Sequence, residues 1–96
     1  MNIVMIGSGN VATHLARALS KFYHITQIYS PNLLNAQHLA KQVNAEAINQ
    51  FQHLQLADLY IIAVKDLAIA DVASKIAPWV QYATVVHTSG SVEQSV

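Results

Sequence analysis

The sequence contains no cysteine, which excludes a disulfide framework and any metal site built on thiolates. Charge is scarce: charged side chains make up 10% of the 96 residues, with five basic residues against five acidic ones. No basic stripe is available to neutralise a phosphate backbone, so a nucleic-acid partner is not expected. The longest unbroken apolar run, Leu59 to Val64, is far too short to cross a bilayer. The first residues have neither the basic stretch nor the small-residue cleavage site of a secretory signal, and the expected location is cytoplasmic. His14, His24, His38 and His53 form no i, i+4 pair and have no carboxylate at ligand spacing, so no metal site is expected. A nucleophile elbow, a phosphate-loop lysine and a carboxylate pair of the kind that shifts pKa values are also missing.

Hydrophobic residues, by contrast, make up 53% of the chain. That balance fits a sheet covered on both faces, or one with a face awaiting a cover. The informative stretch comes first. Asn2-Ile3-Val4-Met5-Ile6 reads as a strand, Gly7-Ser8-Gly9-Asn10-Val11-Ala12 follows as G-x-G-x-x-A, and apolar residues then recur at helical spacing. Strand, tight turn and helix form the context in which this pattern signals a dinucleotide site. Gly7 would let the chain turn sharply, Gly9 would let a pyrophosphate approach the backbone, and Ala12 would keep the helix close to the sheet. The amides of Asn10 and Val11 would point at the anion, backed by the helix dipole.

Farther along, Ala12, Leu15, Ala16 and Leu19 stripe one face of a helix expected over residues 10–22, leaving His14 and Arg17 toward solvent. A second strand is expected over His24–Tyr29, ended by Ser30-Pro31-Asn32. A second helix over Leu33–Val43 carries Ala36, Leu39, Ala40 and Val43 inward, stops at Asn44, and leads to a short strand over 45–48. Phe51, Leu54 and Leu56 could anchor a short helical turn. Leu59–Val64 does not alternate and reads as a strand buried on both faces. Asp66 suits the cap of a helix with Ile69, Val72, Ala73 and Ile76 inward, ended by Pro78. Thr84–His87 is the fifth strand, Thr88–Ser91 its exit loop, and Ser91–Val96 resembles the start of another helix. Alternating strands and helices imply a parallel α/β sheet, Rossmann-type and doubly wound, with strand order 3-2-1-4-5. A six-strand dinucleotide domain needs two halves on the order of 70 residues each. The expectation is therefore one domain over 1–96, stopping short of a sixth strand and forming the front of a longer protein.

Ligands of such folds bind outside the carboxyl ends of the strands. At the end of the second strand, where NAD-binding domains place Asp or Glu, this chain has Ser30, Pro31 and Asn32. No carboxylate repels a 2′-phosphate, and Ser30 and Asn32 could donate to one, so NADP is favoured over NAD. Val64 and Lys65 would lie near the adenosine and central ribose, although a lysine beside a cap is more often simply exposed. His87, Thr88 and Ser89 would face the nicotinamide. Imidazole is the side chain best suited to proton exchange around neutral pH, and His87 is the one candidate for a general acid, although a histidine ending a buried strand is more often a structural donor.

Taken together, residues 3–12, Ala57-Asp58-Leu59-Tyr60-Ile61-Ile62-Ala63-Val64-Lys65 and Val85-Val86-His87-Thr88-Ser89-Gly90 resemble an N-terminal NADP-binding domain. The relatives are the pyrroline-5-carboxylate reductase-like and deazaflavin-dependent NADP oxidoreductases, and among them the Rossmann-like proteins with a His-Thr-Ser-Gly segment. The resemblance covers essentially the whole chain. It implies a two-domain enzyme whose helical C-terminal domain dimerises and builds much of the pocket for a small-molecule substrate. By the match, Gly7, Gly9, Asn10, Val11 and Ala12 carry over to the pyrophosphate, with Ser8 between the glycines a further cofactor-binding candidate. Ser30 and Asn32 carry over to the 2′-phosphate, where many relatives have an arginine and this chain does not. Val64, Lys65, His87, Thr88 and Ser89 carry over to the ribose and nicotinamide, and no catalytic acid carries over. The implied activity is hydride transfer between NADP and a small imine or carbonyl compound, with the 96 residues alone binding but not catalysing. The same residues also allow a non-enzymatic NAD(P)-sensing domain, or a structural remnant without a ligand.

Overall fold

The computed structural model describes residues 1–64, 66–80 and 83–88. Five parallel strands run β1 (Asn2–Ile6), β2 (His24–Tyr29), β3 (Glu46–Ile48), β4 (Leu59–Ile62) and β5 (Thr84–His87), in the order β3-β2-β1-β4-β5. Three α-helices connect them: α1 (Asn10–Leu19), α2 (Leu33–Val43) and α3 (Asp66–Ile76). The expected strand order is present, with its reversal between β1 and β4. Among the described residues no helix is long and apolar enough to cross a membrane.

The central strands are buried on both faces, which explains their lack of alternation. One core holds Ile3, Met5, Ile25, Ile28 and Ile61 beneath Ala12 and Ala16 of α1 and Ala36, Leu39 and Ala40 of α2. The other holds Val4, Ile6, Tyr29, Ile48, Tyr60 and Ile62 beneath Ile76, with Ile69, Val72 and Ala73 of α3 packed against it. Ile25 and Ile28 share a face although they are three apart, because the β1–β2 register slips: Ile3 pairs with Ile25, and Val4 with Gln27. Thr26 is the extra residue, and its hydroxyl donates to the Ile3 carbonyl at 3.2 Å. Such a bulge inverts the side-chain parity of the strand beyond it.

Gln27 is fully buried beyond the bulge. Its Nε2 donates to Glu46 Oε1 (2.8 Å) and to the His53 carbonyl (2.9 Å), while its Oε1 accepts from the Gln55 amide (2.9 Å). One side chain thereby pins the segment between β3 and β4, which contains a single 3-10 turn at Phe51–His53. Phe51 stacks on Tyr29 with ring centroids 4.2 Å apart. Phe51 and Leu54 pack inward as expected, but Leu56 is 90% exposed and is not an anchor. The Tyr60 hydroxyl donates to the Gln55 carbonyl. Burial raises the pKa of both Tyr60 and Tyr29 above the ordinary phenol value, opposed by a backbone hydrogen bond at Ala57 and by the Lys75 charge respectively.

Several boundaries differ from the periodicity. α1 ends at Leu19 rather than near Phe22, which is 79% exposed and leaves the apolar stripe without a further inward residue. Asn44 stops α2 as expected, in the left-handed conformation at φ 63°. Asp66 is the first residue of α3, and its side chain lies outside the described residues. α3 gives way at Ile76 to a 3-10 turn over Ala77–Trp79 that contains Pro78. All four residues of the outer strand β5 are exposed, with Val85 at 39% and Val86 at 41%. The expected helix start at Ser91–Val96 lies outside the described residues.

Gln27→Leu removes three hydrogen bonds while leaving their partners in place. A loss of about 1–3 kcal/mol in urea unfolding is expected, since a buried group left unpaired costs its desolvation.

Candidate functional site

At the carboxyl ends of the strands, backbone contacts continue beyond the ladders. The Gly7 amide donates to the Tyr29 carbonyl and the Ala63 amide to the Ile6 carbonyl, both at 2.8 Å. The Ser30 amide donates to Ile48 and the Thr88 amide to Ile62, at 3.1 and 3.0 Å. All five strand exits are thus tied together beneath one crevice.

Gly7 is buried at φ 129°, a region L side chains rarely enter, and a Cβ there would collide with the Ala63 carbonyl oxygen. Its absence of a side chain is a requirement of the protein itself. Gly9 differs: a Cβ built on it meets nothing within 4 Å, so the space above it is open. Gly9 caps α1 from an extended conformation, without a side-chain capping bond and with no acidic residue in the first helical turn. The first intrahelical bond runs from Thr13 N to Gly9 O (2.9 Å), leaving the exposed Asn10 and Val11 amides without intrahelical partners. Two unsatisfied donors backed by the positive end of a helix dipole favour an anion.

The cleft above them has a volume of about 410 Å³. Gly7, Ser8, Gly9, Asn10 and Val11 form one wall, Ser30 and Pro31 another, and Ala63, Val64 and Thr88 complete the lining. Ser30 is only 4% exposed, and its hydroxyl oxygen accepts from the Asn32 amide at 3.3 Å. An accepting hydroxyl retains its own proton for donation. Two larger depressions lie elsewhere: about 840 Å³ between α2 and β3, and about 650 Å³ around Leu56, Trp79 and Thr84. Neither is lined by the open end of a helix, so backbone donors rather than size single out the smaller cleft.

Most of the sequence-derived candidates therefore meet in one place. The others are positioned differently. Ala12 is fully buried in the core beneath α1, where its small size serves packing. Asn32 Oδ1 caps α2, accepting from Leu34 N (3.0 Å) and Asn35 N (3.4 Å), and Asn32 does not line the cleft. His87 lies in β5 opposite Ile62, exposed and one residue short of the lining formed by Thr88. Lys65 and Ser89 lie outside the described residues. Pro31 and Ala63 were not among the candidates. In the sequence the proline acts as a strand breaker and the alanine continues an apolar run, and nothing in either residue type signals a ligand. Among the described residues no group of three or more potential metal ligands exists.

The family model described as NADP oxidoreductase, coenzyme F420-dependent, matches residues 2–89. No curated protein matches the chain. Among solved structures, a candidate NADP oxidoreductase of Bacteroides fragilis is 40% identical, with a TM-score of 0.85 over 94% of this chain and 36% of that one. Prephenate dehydrogenase of A. aeolicus, solved with hydroxyphenyl propionate and NAD+, shares the fold at 17% identity, with a TM-score of 0.83 over 93% of this chain and 33% of that one. A myo-inositol dehydrogenase of Corynebacterium glutamicum does so at 17% identity, with a TM-score of 0.78 over 91% of this chain and 27% of that one. The chain thus spans about a third of the length of the first two structures.

The two glycines should separate on substitution. Gly7→Ala is expected to cost more than about 3 kcal/mol in denaturant unfolding, through strain and collision. Gly9→Ala should cost about 1 kcal/mol or less, while weakening any anionic ligand that approaches the backbone.

Proposed function

The chain belongs to the NADP oxidoreductase family described as coenzyme F420-dependent, and we propose that it forms the NADP-binding half of an oxidoreductase. That enzyme would pass hydride between the nicotinamide and a small imine or carbonyl compound. The observation that carries the reading is the uncapped start of α1 opening into a cleft above Gly9, with the buried Ser30 among the residues that line the same cleft. The donor set fits an extended polyanion. The Asn10 and Val11 amides take the pyrophosphate, and Ser30 takes a 2′-phosphate or ribose hydroxyl. Asn32 contributes chiefly by fixing the start of α2, its side-chain amide remaining a donor of the kind a phosphate accepts. Thr88 and Val64 lie on the lining toward which the ribose and nicotinamide would extend.

The cofactor, when bound, supplies the hydride. The chain's own residues hold the dinucleotide at fixed depth and orient its reactive end. His87, at the edge beside Thr88, is the residue of this chain to examine for proton donation, and Lys65 and Ser89 are proposed as further contacts. A C-terminal domain that dimerises and completes the substrate pocket belongs to the same proposal, supported by the greater length of the matched structures.

Ser30→Asp tests the cofactor assignment. Calorimetric titration with NADPH and NADH in parallel, at one salt concentration, should show NADPH affinity falling by about tenfold or more, the scale of a lost charge-assisted hydrogen bond. NADH should bind more tightly than before, and an unchanged ratio of the two affinities would contradict the role given to Ser30.

A further inference from the structure

Ala63 occupies an unusual position between the core and the cleft. It is 7% exposed, belongs to the same packed cluster as Ala12 and Ala16 of α1, and also lines the cleft. Its amide donates to Ile6 and its carbonyl oxygen lies where a side chain on Gly7 would go. The residue therefore meets the turn out of β1 through its backbone, and it shares a packed core with Ala12 and Ala16 of the helix whose first residues, Asn10 and Val11, line the cleft.

We infer that Ala63 is a positioning residue, whose small side chain sets how deeply a dinucleotide pyrophosphate seats against the start of α1; this rests on the NADP-binding reading above. A larger side chain has two destinations. It enters the cleft and occupies the ligand's space, or it lifts the first turn of α1 and moves the Asn10 and Val11 amides away from the anion. Close-packed cores resist added volume, and either outcome penalises binding.

The test compares Ala63→Val with Ala40→Val, an equal enlargement in the same core but on α2 and away from the cleft. Thermal unfolding and calorimetric titration with NADPH are read for both and for the unsubstituted chain. Ala63→Val is expected to weaken NADPH on the order of tenfold, while Ala40→Val lowers the melting temperature but leaves affinity within about twofold. Ala63→Ser is the smaller step if valine prevents folding, with an expected weakening of about threefold. Equal affinities for the Ala63 variants and the unsubstituted chain, or equal losses at positions 63 and 40, would overturn the role of Ala63. Failure of the unsubstituted chain to bind NADPH would overturn the dinucleotide reading, and the role of Ala63 with it.

Discussion

The structure depends on one steric fact: the chain leaving β1 passes so close to the Ala63 carbonyl that only glycine fits at position 7. The positive φ at Gly7 turns the backbone out of the sheet within one residue, and α1 begins three residues later. A side chain there would separate β1 from β4 at the point where the strand order reverses. That reversal creates the crevice, because the connections from β1 and β4 depart to opposite faces of the sheet. The turn, the crevice and the orientation of α1 thus follow from the same contact.

The two glycines of the fingerprint carry different burdens. Gly7 answers to the protein's own backbone, while Gly9 answers to nothing within the chain and leaves space. A helix start with no side-chain cap and no acidic residue lacks the internal partners that usually satisfy such amides. α2 provides the contrast within the same molecule, since Asn32 caps two of its amides. One helix start is closed by its own sequence and the other is left open to the cleft.

Much of this was legible in the sequence. Helical spacing located α2 to the residue, and alternation of strands with helices implied the sheet order. The fingerprint located the tight turn at Gly7 and the uncapped start of α1, because such a turn depends on short-range geometry, which sequence spacing encodes. Other features were hidden for physical reasons. The bulge at Thr26 changes which side chains share a face, but parity cannot be read from a strand that is apolar on both sides. Leu56 suggested a buried anchor, yet it is exposed because Gln27 fixes the adjoining segment through polar bonds. The capping of α2 by Asn32 was not evident, because phosphate binding and helix capping use the same residue type. Ala63 gave no signal, since its importance lies in what a larger residue would displace.

The central claim is that a pyridine nucleotide lies across the start of α1. Backbone amide NMR of the chain titrated with NADPH tests it most directly. The account predicts the largest shifts at Gly9, Asn10 and Val11, with further shifts at Ser30 and Thr88, which line the same cleft. Shifts confined to the groove of Gln37, His38 and Lys41 or to the depression around Leu56 and Trp79, or no shifts at saturating NADPH, would contradict it.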